Sequence, residues 1–409
     1  MTSEPSSQAF VWVWLPEQKS PVVAGKLIDR GSVVTFTYGR SYLARPEAIP
    51  LFLPELPLRA GEITPLSGDL AGCIADAGPD SWGRRIIEYR SGSGRRLGSL
   101  DYLLASGSNR TGALDFQESA TEYLPRPGDT ARLSELVEAA ERVEQGLPLS
   151  DALDRALLHG TSVGGARPKA VLGDDRRELI GKFSSVTDTW PTVKAEHLAM
   201  ELARLAGLDV ASVDLDRTLG KDVLLVERFD RPGEGTRRMM VSALTILELH
   251  DAHGMAGRYA SYADLAHQIR ARFINPDGAL RELFSRIVFN ILVGNTDDHA
   301  RNHAAFWDGR QLELTPAYDI SPQLRTGGEA VQAMAYGPSG QRLSQISECL
   351  LHASIYHLTQ AQAREIADHQ IATIQDRWNE VCDRASLTTP QRDWLRGRQF
   401  LNPFALEGR

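Results

Sequence analysis

Two carboxylates and an amide at fixed spacing in the C-terminal half could do phosphate chemistry. Asp297 and Asn302 lie five positions apart in "GNTDDHARNH", residues 294–303, directly after the apolar run "IVFNILV". Asp319 follows seventeen residues beyond Asn302 in "TPAYDISP", which reads as a short strand-like segment between two prolines. Phosphoryl transfer from a nucleotide needs one carboxylate to orient or deprotonate the attacking hydroxyl. It also needs oxygen ligands for a Mg²⁺ ion that bridges the phosphates. An Asp-x₄-Asn loop followed by a second Asp supplies both, and the Asp-to-Asn spacing is that of the protein-kinase catalytic loop. Two other readings fit the same stretch: a solvated polar helix end, or a metal-dependent hydrolase built on Asp297, His299 and His303.

Upstream, "GTSVGGARPK", residues 160–169, sets three glycines and two hydroxyls before an apolar segment, so its backbone N–H groups could wrap an anion. Gly160 and Gly165 have Walker spacing, but "ARPK" follows where that motif requires Lys and then Ser or Thr. Lys182 lies inside the apolar "LIGKF", where a buried ammonium needs an anionic partner and a snorkelling one does not. Glu196, near the start of the next helical pattern, could be that partner, or a charge favoured at a helix N-terminus.

These residues need elements to carry them, and the periodicity supplies candidates. "FVWVWL", "VVAGKL" and "VVTFTY" predict a small antiparallel sheet within the first 50 residues, followed by turns and short helices to about residue 125. "ARLSELVEAAERVEQG" predicts a helix with Leu133, Leu136, Val137, Ala140 and Val143 on one stripe and Gly146 as its stop. "AVL" and "ELIGKF" predict a hairpin, "KAEHLAMELARLAGL" an amphipathic helix and "KDVLLVERFD" a strand. "LRELFSRIVFNILVG" and the long segment capped by Thr359 and Gln362 predict helices in the C-terminal part. The order predicts an α+β fold in three parts: a β-rich unit over 1–150, a small lobe over 151–240 and a mostly helical lobe over 241–409.

Composition bounds the class. At 409 residues, with 42% hydrophobic and 24% charged residues, the chain can bury several cores, and no stretch is apolar for the length of a bilayer. The N-terminus lacks a basic segment followed by a long apolar one, which predicts no signal peptide and a cytoplasmic protein. Cys73, Cys349 and Cys382 are far apart and odd in number, which predicts buried thiols rather than a disulfide framework. A net charge of −8 argues against binding nucleic acid by electrostatics alone.

Five motifs in this order resemble the HipA family of serine/threonine kinases, the toxin half of bacterial toxin–antitoxin pairs. They are "SVGGARPK", "GKF", "VERFDR", "GNTDDHARNH" and "PAYDIS"; "PDSWGRR" and the N-terminal strands resemble that family's N-terminal unit. The resemblance implies a bilobal protein-kinase-like fold, ATP and Mg²⁺ as cofactors, and Asp297 as the catalytic aspartate. It implies Asn302 and Asp319 as metal ligands, Lys182 on the nucleotide phosphates with Glu196 as a candidate to orient it, and Gly164, Gly165, Ala166, Arg167, Pro168 and Lys169 as the phosphate cover. Glu227, Arg228 and Phe229 would meet the adenine edge through backbone groups, and His299, Ala300, Arg301 and Tyr318 would line the nucleotide.

Ser162 matches the serine these kinases autophosphorylate, where a phosphate adds roughly −1.5 to −2 charge and would switch the loop off. The implied partners are a helix-turn-helix antitoxin (HipB-like), operator DNA through that antitoxin, and a protein substrate such as an aminoacyl-tRNA synthetase. Two departures stand out: Asp298 where relatives often carry Gly, and Arg167-Pro168 where some carry Gln-Glu. A catalytically silent co-repressor and a small-molecule phosphotransferase are the competing functional readings.

Overall fold

The computed structural model describes residues 6–91, 97–126, 132–150, 153, 169–173, 177–185, 188–250, 259–325 and 327–409. The chain divides into two compact units. The first comprises residues 1–187, 217–241 and 306–310, and the second 188–216, 242–305 and 311–409. The expected N-terminal unit and the hairpin of the expected small lobe thus share one unit, and the small-lobe segment divides after Thr187.

In the first unit, β1 (Gln8–Val13), β2 (Val22–Asp29), β3 (Val34–Tyr38), β4 (Glu62–Ile63) and β5 (Leu114–Gln117) form an antiparallel sheet of order β4-β3-β2-β1-β5. Alternation of β-branched and aromatic residues makes these strands, as expected; β5, from far outside the first 50 residues, closes the edge beside β1. Gly25 is required where β2 meets β3, because a Cβ there would lie 2.2 Å from the Thr37 carbonyl oxygen.

A second sheet has the order β6-β7-β9-β8, with β6 (Lys169–Gly173), β7 (Glu178–Phe183), β8 (Val213–Thr218) and β9 (Lys221–Glu227). The expected hairpin forms with Val171 opposite Ile180 and Lys169 opposite Lys182. Helices α1 (Ser81–Ser91) and α2 (Leu133–Glu144) pack on this sheet through Trp82, Ile86, Leu136, Val137, Ala140 and Val143 against Ala170, Phe183 and Val223. Gly146 stops α2 in the left-handed region at φ 67°, as its position after the apolar stripe foretold. Short strands β10 (Met240–Ser242), β11 (Ala304–Trp307) and β12 (Leu312–Leu314) make a third sheet in that order.

The second unit is mostly helical: α3 (Thr192–Leu205), α4 (Tyr262–Arg272), α5 (Pro276–Val293) and α6 (Gln360–Arg384). Helix α5 packs against α4 and α6, and α6 against α3. The predicted capping box of α6 is present: Thr359 Oγ1 accepts from the Gln362 N–H at 3.2 Å, and Gln362 Oε1 from the Thr359 N–H at 2.9 Å. Helix α5 starts with Asn275 accepting from the Gly278 N–H and with Pro276 in its first turn, where a missing N–H costs nothing. Its last two turns, Arg286 to Val293, are wholly buried. "TPAYDISP" is not a strand: its one bridge joins Ala317 to Val210, and Asp319 adopts φ 59°. Prolines without an N–H and a left-handed residue end any extended run there. All three cysteines are buried and free. Among the described residues, no helix is long and apolar enough to cross a membrane.

Candidate active site

The catalytic-loop candidate begins where α5 must end. Gly294 turns the chain at φ 70°, and a Cβ on it would lie 2.8 Å from the Gln399 carbonyl oxygen, so both conformation and space demand glycine. Backbone bonds then fix the loop. The Gly294 carbonyl accepts from the Gln323 N–H at 2.9 Å and the Thr296 carbonyl from the Ala333 N–H at 3.0 Å. The His299 carbonyl accepts from the Asn302 N–H at 2.8 Å, and the His303 carbonyl from the Ala243 N–H at 2.7 Å. Tyr318 donates its hydroxyl to the Arg301 carbonyl at 2.8 Å, tying the loop to the Asp319 segment.

The two adjacent aspartates take opposite environments. Asp297 is exposed, whereas Asp298 is buried at 3% exposure. One carboxylate oxygen of Asp298, Oδ2, meets three donors: Tyr262 Oη, Asn290 Nδ2 at 2.7 Å and His303 Nε2 at 2.7 Å. Asn290 Oδ1 in turn accepts from Asn295 Nδ2 at 3.0 Å, and the Asn295 carbonyl accepts from Gln332 Nε2 at 3.0 Å. Burial pushes the Asp298 carboxyl up, but His303 and the Tyr262 hydroxyl outweigh it and hold it below the ordinary value. Partial burial pushes Asp297 up; His299 pulls it down, and the charges of Asp319 and Asp298 push it up further, leaving it raised.

That mutual repulsion bears on the metal question. Asp297 and Asp319 are close enough for their charges to repel, and Asn302 adds an amide oxygen at 9% exposure. Hard oxygen donors of this kind suit Mg²⁺ when nucleotide phosphates complete its ligand set. Among the described residues, no three His, Cys, Asp or Glu side chains cluster closely enough to hold a metal by themselves. The hydrolase reading finds no support, since Asp297, His299 and His303 form no metal-holding cluster among the described residues and His303 Nε2 bonds Asp298. Asp319 occupies the left-handed region that only Gly, Asn and Asp visit readily, and such strain concentrates at functional positions. The Asp319 segment is held from behind by Arg286, whose Nη2 donates to the Thr315 and Asp209 carbonyls at 2.9 and 3.3 Å. His299 is half-buried, with its Nδ1 buried and unpartnered among the described residues. Ala300 is buried, its carbonyl accepting from the Leu244 N–H at 3.2 Å, so it serves the loop through its backbone. Glu196 is buried in α3 at 3% exposure.

In the first unit, Lys182 projects from β7 opposite Leu224 of β9 and is half-buried. Ser162, Gly164, Gly165, Ala166, Arg167 and Pro168 lie outside the described residues. Lys169 departs from the expected phosphate cover: its buried ammonium is 2.9 Å from Asp80 Oδ2. Burial pushes the Asp80 carboxyl up, and Lys169 only partly offsets this. The hinge candidate "VERFDR" holds a second departure. The Arg228 N–H donates to the Glu178 carbonyl at 2.9 Å, so that donor is not available to a base edge.

The charges of this segment form a buried network. Arg228 clamps Asp230 through Nε at 3.0 Å and Nη2 at 2.8 Å, and also reaches Asn109 Oδ1 at 2.7 Å and the Arg110 carbonyl at 2.7 Å. Arg231 adds 2.8 Å to Asp230 Oδ2 and 2.9 Å to the Gly112 carbonyl, and the Gly112 N–H donates to Asp230 at 2.7 Å. Tyr262, Asn290 and the Asn109–Asp230 network were not singled out from sequence. The one available signal was Asn290, a polar residue inside the apolar "IVFNILV".

The whole arrangement belongs to one class: an α+β, kinase-like fold with a polar loop at the end of a buried helix. Residues 161–378 match the HipA-like C-terminal domain and residues 12–117 the HipA N-terminal domain, so the chain belongs to the HipA family. It is 28% identical over 183 residues to the serine/threonine-protein kinase toxin HipA of Shewanella oneidensis, a match covering 39% of this chain and 42% of that protein's length. It is 25% identical over 324 residues to the putative kinase Y4mE of Sinorhizobium fredii, covering 71% and 73% of the two chains. The solved complex of Shewanella oneidensis HipA with HipB and its operator DNA matches with a TM-score of 0.68 at 20% identity, over 94% of this chain and 97% of that one. That likeness shows the fold, and the expected α+β kinase-like architecture is the one found.

Proposed function

We propose that this chain is an ATP- and Mg²⁺-dependent serine/threonine protein kinase and the toxin of a HipA-type pair. The single observation that carries the reading is the division of labour in "GNTDDHARNH". Asp297 is exposed on a loop pinned at Gly294, Asp298, Arg301 and His303, with Asp319 near enough to raise its carboxyl. In the proposed reaction Asp297 accepts the proton of a substrate Ser or Thr hydroxyl as its oxygen bonds to the γ-phosphorus. The bond from that phosphorus to the β–γ bridging oxygen breaks, and ADP leaves. Asn302 and Asp319 would hold Mg²⁺, which neutralises charge on the phosphates when bound.

Lys182 contacts the nucleotide phosphates, and backbone groups of Glu227 and Phe229 meet the adenine. Gly164, Gly165, Ala166, Arg167 and Pro168 cover the phosphates, with Ser162 as the autophosphorylated off-switch. His299, Ala300, Arg301 and Tyr318 complete the nucleotide-facing stretch, Ala300 through its backbone. The proposed substrate is a cytoplasmic protein of the aminoacyl-tRNA synthetase class, and the proposed partner a helix-turn-helix antitoxin that carries the chain to operator DNA. The Shewanella oneidensis complex with HipB and operator DNA supports that pairing by likeness of fold.

Incubation with labelled ATP and Mg²⁺, followed by intact-mass analysis, tests the reading. One phosphate should appear, map to Ser162 and vanish in both Ser162→Ala and Asp297→Ala. Label that survives Asp297→Ala would remove the assigned base, and a wild-type chain that labels neither itself nor any protein would favour the silent co-repressor.

A further inference from the structure

We propose that the buried Asp298–His303 hydrogen bond is a clasp that fixes the separation of Asp297 and Asn302, making Asp298 and His303 positioning residues for phosphoryl transfer. The proposal rests on the kinase reading above. Asp298 directly follows the proposed base and His303 directly follows the proposed metal ligand. The 2.7 Å bond from His303 Nε2 to Asp298 Oδ2 therefore closes the loop between the two functional residues, one position beyond each. Both residues are 3% exposed, so water does not compete for the bond.

The clasp is itself anchored to two helices. Tyr262, wholly buried at the start of α4, and Asn290, buried in α5, both donate to the same carboxylate oxygen. The Tyr262 ring also packs edge-on to the His303 imidazole, with centroids 5.5 Å apart. A buried carboxylate with three donors is held in one place, whereas Gly at this position would leave the loop and three donors without a partner. His303 Nδ1 has no hydrogen-bond partner among the described residues, so the ring's one polar tie is to Asp298.

Three variants test the clasp. His303→Gln keeps an amide N–H near the place of Nε2, His303→Asn is too short to reach Asp298, and Asp298→Asn keeps the shape but turns an acceptor into a donor. Thermal melts establish that each is folded. Because a displacement of about 1 Å can cost on the order of 10²-fold in rate, His303→Asn should lose roughly that much kcat, with KM for ATP little changed. Its Mg²⁺ requirement should also rise several-fold, read from binding of a fluorescent ATP analogue as Mg²⁺ is titrated, a readout that needs no turnover. His303→Gln should restore most of both. Should His303→Asn not fold, Asp298→Asn carries the same expectation. Wild-type kcat and Mg²⁺ dependence in a folded His303→Asn or Asp298→Asn would overturn the clasp and leave the kinase reading standing. A wild-type chain that transfers no phosphate would overturn the kinase reading, while the Mg²⁺ titration would still report whether the clasp holds Asn302.

Discussion

Asp297 and Asp298 are the same residue twice in the sequence, and the fold shifts their carboxyls in opposite directions. Asp298 is held below the ordinary carboxyl value by His303 and Tyr262 despite its burial, while Asp297 is raised by burial and by two neighbouring carboxylates despite His299. Spacing to Asn302 and Asp319 singled out Asp297 as a candidate base. It left Asp298 without a role, because only burial separates the two. A raised pKa means that Asp297 stays protonated, and unable to accept a proton, to a higher pH than an isolated aspartate. In the metal-free chain, a carboxyl-detected NMR titration should therefore find Asp297 above 3.8, its ordinary value. Asp319→Asn removes one repelling charge and should move that titration down. An Asp297 that titrates at or below its ordinary value, or one indifferent to Asp319→Asn, would separate the two carboxylates and weaken the shared site.

At the scale of elements, the apolar spacing of "LRELFSRIVFNILVG" made helix α5 legible from Leu280 to its end, whereas its start lies earlier, at Pro276 behind the Asn275 cap. The segment after the loop was not legible, because "TPAYDISP" has strand-like composition and its left-handed Asp319 is set by tertiary contacts. Gly294 carries two demands at once, a left-handed φ of 70° and room beside the Gln399 carbonyl. Gly294→Ala should therefore cost about 1–3 kcal/mol by thermal or denaturant unfolding, more than a left-handed conformation alone would explain. It should also lower kcat at temperatures where the variant remains folded, because the loop that leaves α5 begins at this residue. A variant as stable and as active as the parent would mean that the loop position does not depend on how α5 ends.

On the scale of the whole molecule, a family can be read from ordered motifs, but the use of each charge within a motif cannot. "VERFDR" was read as a hinge candidate, yet Arg228 and Asp230 are buried, the Arg231 side chain is 6% exposed, and the three bind Asn109, Arg110 and Gly112, more than a hundred residues away in sequence. Spacing within a motif carries no information about a partner so distant, so only the folded chain reveals this second use. Burial pushes the Asp230 carboxyl up, but Arg228, Arg231 and the Gly112 N–H hold it far below its ordinary 3.8. A depressed pKa stabilises the fold above the unfolded value and loses that contribution as pH falls toward the folded one. Asp230→Asn leaves two buried guanidiniums short of a counter-charge and should cost about 3–5 kcal/mol at neutral pH. The stability gap between parent and variant should narrow as pH drops below about 4, where the unfolded aspartate takes up its proton. A gap that stays constant between pH 7 and pH 3 would show that Asp230 acts through shape and hydrogen bonding rather than charge. Replacing Arg228 as well, by Met in the Asp230→Leu background, should recover part of the loss, because the cost lies in the unpaired charge.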